Sequence, residues 1–411
     1  MDITELYQLT IDSYTGGGGF LDGSYINAHA REDSVEDRKK NSYFTNYVYG
    51  MVDSLIAPVF GDKITRTTDG ELYRAFTENV DRRGTSLSDW LSNVAAYDAL
   101  LGNVFIIMDN SSEPAGTIGE AVASRAYPYL YYRLPNEVED VRLDQHGGIS
   151  SITFRIDSLK VGGVSRNVYR TIEDGKVVDW YGKKNDKQYI GDHILSPSSR
   201  VIMTGSEVLP MPPFGGVAQT AKAIYNINSE DRDVTRAQGF GILQVPSAVP
   251  ESSMVIGSKN VLYVDPEGTR DAKYVSPDSN VLLALQSNSK SVTDSMLASA
   301  VNAGVRVNSG DYKSGVAIMA DNSPSYAVLS RRSEKFQTIE QKIHAMFCFM
   351  AGITDNSTVI YSKDYTPSTE KVKESQKIIS EQMKLPYSAE QLSKLADYNM
   401  TLISQITGMP L

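Results

Sequence analysis

The stretch from Gly215 to Ala351 limits the possible folds most, because its hydrophobic period switches repeatedly and glycine or proline marks each switch. Gly215-Gly216 opens a polar run, Val217 to Gln238, in which Val217, Ala221, Ile224, Tyr225 and Val234 fall close to helical spacing. That pattern predicts a helix with a narrow contact seam and a charge cluster from Glu230 to Arg236. Gly239 and Gly241 break the period, and Ile242-Leu243-Gln244-Val245 then reads as a strand, followed by Pro246 and Pro250. Val261 to Val264 and Ala272 to Val275 flank the turn Asp265-Pro266-Glu267-Gly268, which predicts a hairpin because Pro presets the turn and Gly permits positive φ. Its tip is charged, with Asp265, Glu267, Arg270, Asp271 and Lys273.

Helical spacing returns at Ser291, where Asp294 completes a capping-box-like start and Val292, Met296, Leu297, Ala300 and Val301 share one side. Gly304 ends that helix. Arg306 to Ser325 carries Gly310, Gly315, several Ser and Asn, and an apolar run at Val316, Ala317, Ile318 and Met319, which reads as a mobile loop with an apolar patch. After Pro324 a long helix follows, with Leu329, Phe336, Ile339, Ile343, Met346, Phe347 and Met350 on one face and Gly352 at its end.

Upstream, residues 1–32 read as a polar, flexible arm around Gly16 to Gly19. A phosphate loop would need a Gly-Lys-Ser/Thr ending, which is absent. Ser34-Val35-Glu36-Asp37 predicts the start of a helix to about Ala57 that buries Tyr43, Phe44, Tyr47, Val48, Met51, Val52 and Leu55. A second capped helix runs from Ser86 or Ser88 to Leu101, with Gly102 closing it and the strand Val104 to Met108 behind it. From Tyr127 to Met203 the chain is a β meander, with turns at Gln145-His146-Gly147-Gly148 and Glu173-Asp174-Gly175-Lys176. Beyond Gly352, Asn356 to Tyr361 is extended, and helices are expected over Glu370 to Lys384 and Ser388 to Ile406. The fold class is α+β.

The order helix, β excursion, helix, loop and long helix resembles the portal proteins of tailed bacteriophages. Their first stem helix is similar to "PPFGGVAQTAKAIYNIN" at Pro212 to Asn228, and the start of their clip to "GFGILQVP" at Gly239 to Pro246. "YFTNYVYGMVDSLIAPVF", "LLGNVFIIMDN" and "LPNEVEDVRLDQHGGISSITFR" resemble segments of the portal wing. The resemblance implies a wing over 1–215, a first stem helix over 216–240, a clip over 241–288, and a second stem helix over 289–305. It further implies a tunnel loop over 306–325, a long wing helix over 326–352 and a short helical crown over 353–411. It places Arg306, Asn308, Asp311, Tyr312, Lys313, Val316, Ile318 and Met319 at the DNA channel. At the interface with terminase and adaptor it places Gln244, Asp265, Glu267, Arg270, Asp271 and Lys273. The implied partners are other copies of the chain in a dodecameric ring, the terminase, major capsid and scaffolding proteins, a head–tail adaptor, and double-stranded DNA held weakly. The implied location is the virion, assembled in the host cytoplasm, with packaging chemistry left to the terminase.

Charge bears on this reading. Acidic residues outnumber basic ones, 50 to 40, so the overall charge argues against tight phosphate gripping by the isolated chain and admits a non-adhesive DNA passage. No run approaches the ~20 apolar residues of a membrane span, and Met1 to Thr10 lacks a signal-peptide core. The single cysteine, Cys348, reads as a buried structural thiol, and disulfide stapling within the chain is impossible. His29, His146, His193 and His344 are scattered outside any zinc-binding spacing, and no nucleophile elbow or dinucleotide fingerprint is present. No catalysis, cofactor or metal is expected, and acidic pairs such as Asp109 with Glu113 or Asp265 with Glu267 read as solvated turn residues. The alternative is an α+β enzyme or ligand-binding protein with a lid at 306–325.

Overall fold

The computed structural model of the chain describes residues 2–29, 35–61, 64–110, 115–161, 164–173, 176–183, 186–194, 201–239, 242–246, 261–264, 273–275, 279–302 and 315–365. In chain order the first half runs α1 (Ile3–Thr15), α2 (Gly19–Asp22), α3 (Glu36–Asn41), α4 (Tyr47–Phe60), β1 (Thr65–Thr67), α5 (Glu71–Glu78), α6 (Leu87–Leu101), β2 (Phe105–Asp109), α7 (Ile118–Ser124) and β3 (Tyr129–Arg133). A 3-10 turn at Pro135–Glu137 leads to β4 (Val138–Leu143), β5 (Ile149–Val161), β6 (Val164–Glu173), β7 (Lys176–Lys183), β8 (Asp186–Ile194) and β9 (Val201–Met203). The remainder is α8 (Gly215–Gly239), β10 (Ile242–Pro246), β11 (Val261–Val264), β12 (Lys273–Val275), α9 (Ser279–Asn302), α10 (Gly315–Ala351) and β13 (Thr358–Ile360). The sheets are mostly antiparallel and mixed with helices, so the class is α+β as expected. The chain divides into two compact units, one of Met1–Gly50 with Met211–Ala300, the other of Met51–Pro210 with the described residues of Val301–Leu411.

In the second unit, α6 begins where Ser86 accepts from the Asp89 amide at 3.2 Å and ends at Gly102 with φ 81°, a left-handed conformation that glycine adopts without a Cβ clash. The chain then drops directly into β2, whose five residues are all buried between β3 and β9. β4 to β8 form a five-stranded antiparallel meander in sequence order. One core gathers Phe105, Ile107 and Val201 of the three-stranded sheet with Ile152, Phe154, Ile172 and Val177 of the meander.

The expected apolar face of the long helix is buried throughout, with Leu329, Phe336, Ile339, Ile343, Met346, Phe347 and Met350 all at most 8 % exposed. Phe336 meets Phe60 edge to face, and Phe347 meets Tyr73 and Phe76. Two buried charges fix the helix. Glu340, 1 % exposed, takes both forks of the Arg66 guanidinium at 2.6 and 2.9 Å and the Tyr361 hydroxyl at 2.7 Å. Lys335 reaches both oxygens of buried Asp98 at 2.7 Å, while Thr204 donates to the same carboxylate.

The first unit is built on α8. α1 is capped by Asp2 and Glu5 in a reciprocal capping box, and its Leu9 joins Phe20, Ile26, Ala218 and Tyr225 in a second core. Phe20 stacks on Phe44 at 3.9 Å and meets Tyr25 and Tyr225 edge to face.

Several expectations are corrected. Of the residues expected as a flexible arm, 2–29 are ordered around α1 and α2, because Leu6, Leu9 and Phe20 have the seam of α8 to bury against. The helix expected from Ser34 to Ala57 is two, since the chain is non-helical over 42–46 between α3 and α4, and Tyr43 is 54 % exposed. Pro58 lies inside α4 instead of after it. β11 and β12 do not form a hairpin with each other: β10 lies between them, parallel to β11 and antiparallel to β12. α9 starts at Ser279, twelve residues before Ser291, because Leu282 to Leu285 are good helix formers and extend the period backwards. The long helix starts at Gly315, so residues 315–325 are helical and Pro324 is internal; the Ala- and Met-containing run favours helix, and proline removes only one donor. Asp109 is a buried strand residue beside Arg170, not a solvated turn residue, and Cys348 is only partly buried. α5, α7 and β8 went unread. The helices expected over 370–384 and 388–406 lie outside the described residues.

Glu340→Gln should destabilise the fold by about 3–5 kcal/mol, because it leaves the partly buried Arg66 guanidinium without its counter-charge. Urea denaturation of the two proteins checks this, and a loss under about 1 kcal/mol would show the pair to be unimportant.

Candidate functional site

α8 carries the small sheet at its C-terminal end, and its first turns are the buried ones. Phe214, Val217, Ala218, Ala221, Ile224 and Tyr225 are each at most 4 % exposed, whereas Arg232, Asp233 and Arg236 are exposed. The N-terminal segment grips the middle of the helix with polar bonds. The Asn226 carboxamide accepts from the Asn27 amide at 2.7 Å and donates to the Tyr25 carbonyl at 2.9 Å. Arg38, 4 % exposed, donates to Ser229 Oγ at 3.1 Å and to the Asn27 carbonyl at 2.6 Å. Tyr225 donates to the Phe20 carbonyl at 3.2 Å.

This grip uses part of the charge of α8. Lys222 lies over the Tyr25 ring at 4.8 Å, Arg232 over Tyr43 at 5.0 Å, and Glu230 faces His29 at 3.4 Å. Outside these contacts, the exposed charges toward the end of α8 are Asp233 and Arg236, one of each sign. α9 is nearly uncharged, with Lys290 and Asp294 alone, and its first turns expose Val281 at 49 % and Leu283 at 62 %. Ser289 bonds Asn228 of α8 at 3.0 Å.

Of the expected interface residues, Gln244 and Lys273 are brought together as cross-strand partners in β10 and β12. Because β10 is central, β11 and β12 are the two edges of this sheet, each offering one side of its backbone for further pairing. Asp265, Glu267, Arg270 and Asp271 lie outside the described residues, as do Arg306, Asn308, Asp311, Tyr312 and Lys313. Val316, Ile318 and Met319 fall in the first turns of α10. Sequence reasoning missed the N-terminal grip, although Asp2 and Glu5 at capping-box spacing signalled a helix there.

A second cluster lies on α10. His344 Nε2 is 2.9 Å from Asp355 Oδ1 and 3.4 Å from Cys348 Sγ, and the Tyr73 ring sits 4.6 Å from the imidazole. A thiol–imidazole–carboxylate relay needs the two ring nitrogens to serve different partners, and here one nitrogen serves both. Burial and the nearby Asp355 push the Cys348 thiol up, away from thiolate. Burial alone would raise Asp355 too, but the Ser357 hydroxyl, His344 and the backbone amides of Ser357 and Gly70 together hold it below the usual carboxylate range. This arrangement ties β13 to the start of α5 and to α10. Among the described residues no group of three or more His, Cys, Asp or Glu side chains could hold a metal, and no helix is long and apolar enough to cross a membrane.

No protein-family model matches the chain, and no curated protein matches it. Among solved structures, it is similar to a chain of the virion of the native gene transfer agent particle, at 10 % identity and a TM-score of 0.38, over 95 % of this chain and 98 % of that one. It is also similar to a chain of the neck of the empty gene transfer agent particle, at 11 % identity and a TM-score of 0.39, over 94 % of this chain and 98 % of that one. Likenesses at these scores carry no functional argument.

Asn226→Ala should cost about 0.5–1.5 kcal/mol by removing the bonds to the exposed Asn27 amide and the part-buried Tyr25 carbonyl, with faster hydrogen exchange at Asn27 as the local readout. Asp355 should make stability pH-dependent in acid. Its folded pKa lies below its unfolded one, so its contribution is complete above the unfolded value near 4 and is lost as pH falls through the folded value. In Asp355→Asn this acid-dependent component should vanish, and an unchanged stability–pH curve would refute the assignment.

Proposed function

We propose that the chain is a portal subunit of a phage-like particle, forming a ring through which double-stranded DNA is packaged and released. The observation that carries this reading is the arrangement between residues 215 and 351: a long helix, a three-stranded sheet, a second long helix and a third, in unbroken sequence. In this reading α8 and α9 are the stem, the β10–β12 sheet is the clip, residues 303–314 with the first turns of α10 form the tunnel loop, and the rest of α10 belongs to the wing. The near-neutral charge of α8 and α9 supports a passage to which DNA does not adhere, because phosphate binding needs unopposed cations. The exposed Val281 and Leu283 support burial against neighbouring copies. The edges of the β10–β12 sheet suit strand pairing between subunits or docking of the terminase and adaptor. The chain itself performs no catalysis in this reading, and no metal or cofactor takes part.

Light scattering and negative-stain imaging of the purified 45.2-kDa chain should show a ring of several hundred kilodaltons. A stable monomer or dimer under all assembly conditions would overturn the reading. Deleting 265–273 should abolish ring formation or terminase docking. Replacing Tyr312 and Lys313 with Gly or Ala should leave rings intact but impair DNA packaging or retention, and packaging of a full genome by that variant would refute the tunnel-loop assignment.

A further inference from the structure

The five-stranded meander is longer than its core needs. β5 and β6 pair as far as Val161 with Val164, well beyond the last β4 partner, Phe154. Core burial on this sheet stops with Val168 and Trp180, and Ser158, Leu159, Val164, Ser165, Arg166, Asn167, Gly182, Lys183 and Gln188 beyond them are all exposed. Strands that leave the core and stay paired in solvent need another reason for their length.

Their charge is unlike that of the rest of the chain. Residues 155–168 and 181–190 hold Arg155, Lys160, Arg166, Lys183, Lys184 and Lys187 against only Asp157 and Asp186, a net charge of +4 in a chain of −10. Register sorts these residues by face. Arg155, Tyr169, Trp180 and Tyr189 form one cross-strand row. On the same face the next positions are Ser158 with Asn167, Gly182 with Lys187, and Lys160 with Ser165. Beyond the row of Thr153 and Thr171 that face carries no carboxylate, because Asp157 and Asp186 alternate to the other side. Asp186 faces Lys183 across β7 and β8 on that other side, and accepts from Gln188 at 3.2 Å, while Asp157 accepts from the Ser158 amide at 2.7 Å.

We propose that the distal end of this sheet binds the phosphate backbone of double-stranded DNA. Arg, Lys, Ser, Asn and Tyr are the side chains that contact phosphate and sugar oxygens, and they are what this face presents. With strands about 4.8 Å apart, Arg155 on β5 and Lys187 on β8 stand roughly 14 Å from one another, enough to meet different phosphates of one helical turn. Stacking on bases is the weaker alternative. The Trp180 ring is 5 % exposed, stacked on Tyr169 at 4.9 Å with Lys187 Nζ over it at 4.5 Å, and only Tyr189, 67 % exposed, offers an open ring. Backbone recognition without base stacking favours a duplex. The proposal does not depend on ring formation and concerns a surface other than the passage.

The test is titration of a short fluorescent duplex with the full chain across a salt series. The wild type should bind at about 50 mM salt and release the duplex by about 200 mM. Arg155→Ala/Lys160→Ala/Lys187→Ala should weaken binding at least tenfold at low salt and reduce the slope of log affinity against log salt by about 2–3, at an unchanged melting temperature and assembly state. The control Arg236→Ala/Lys290→Ala, in α8 and α9, should bind as wild type does. Absence of binding at low salt, or equal binding by the triple variant, would overturn the proposal. So would tighter binding of a single strand, which would assign the site to stacking on Tyr189, or equal competition by polyglutamate, which would assign it to an acidic protein.

Discussion

Glu340 is the constraint on which the larger unit depends. A carboxylate at 1 % exposure in the middle of a helix is tolerable only when its oxygens are fully engaged, and here Arg66, from β1, and Tyr361, just past β13, engage them. Desolvation works against the Arg66 charge, but Glu340 more than compensates and raises the guanidinium pKa, while burial and Glu340 together push the Tyr361 phenol far up. Arg66 also donates to Ser88 at the start of α6, so one buried charge sets the positions of β1, α6, α10 and β13. Lys335 with Asp98 repeats the device one and a half turns earlier, this time through α6 and the Thr204 hydroxyl. The apolar face of α10 supplies the driving force for packing, and these pairs fix its rotation and height. An apolar stripe alone would tolerate a slip of one turn; a buried charge left unpaired by such a slip would not.

The smaller unit uses neutral hydrogen bonds for the same purpose. Asn226 satisfies one backbone group of Asn27 and one of Tyr25, and Arg38 reaches across to Ser229, so the N-terminal segment is registered on α8 to within one residue. The close aromatic packing of Phe20, Phe44 and Tyr225 then fills the space between. Gly215 belongs to this arrangement: a Cβ there would lie 3.2–3.4 Å from the Leu6 side chain, tighter than packing comfortably allows. What these contacts leave exposed is the C-terminal part of α8, which carries the β10–β12 sheet.

What was legible in the sequence follows from how local the determining physics is. α6 could be read nearly to the residue, because Ser86 and Gly102 are caps acting within one turn and β2 follows without a loop. The seven apolar residues of α10 were readable for the same reason: period 3.6 is a local pattern. Its start was not, since Pro324 and the Ser and Asn residues around it argue for a loop by propensity, and propensity yields to the continuation of a long helix. The N-terminal helices were missed because their seam is sparse and makes sense only against α8, some 200 residues away. The β10 pairing was missed because a Pro-Gly turn between two short apolar runs has the signature of a hairpin, and nothing local shows that a third strand inserts between them. Of the candidate site, Gln244 and Lys273 were placed as neighbours by register, a non-local fact that the sequence only hinted at through their shared segment.

Charge is distributed as unevenly as structure is. The acidic excess of ten could have been spread over the whole surface, yet α8 and α9 are each neutral in sum, and part of the charge of α8 is consumed by contacts to Tyr25, Tyr43 and His29. The distal meander, by contrast, holds Arg155, Lys160, Arg166, Lys183 and Lys187 against Asp157 and Asp186, a net +3 on strands that have no core to build. Formal net charge is therefore a poor guide to where this chain meets a polyanion: the surface with local excess is the one that can release counterions, and the balanced helices cannot, however the rest of the molecule is charged. Screening strengthens the distinction. At physiological salt the Debye length is about 8 Å, so acidic residues elsewhere on the chain do little to cancel a cluster that spans nearly twice that distance.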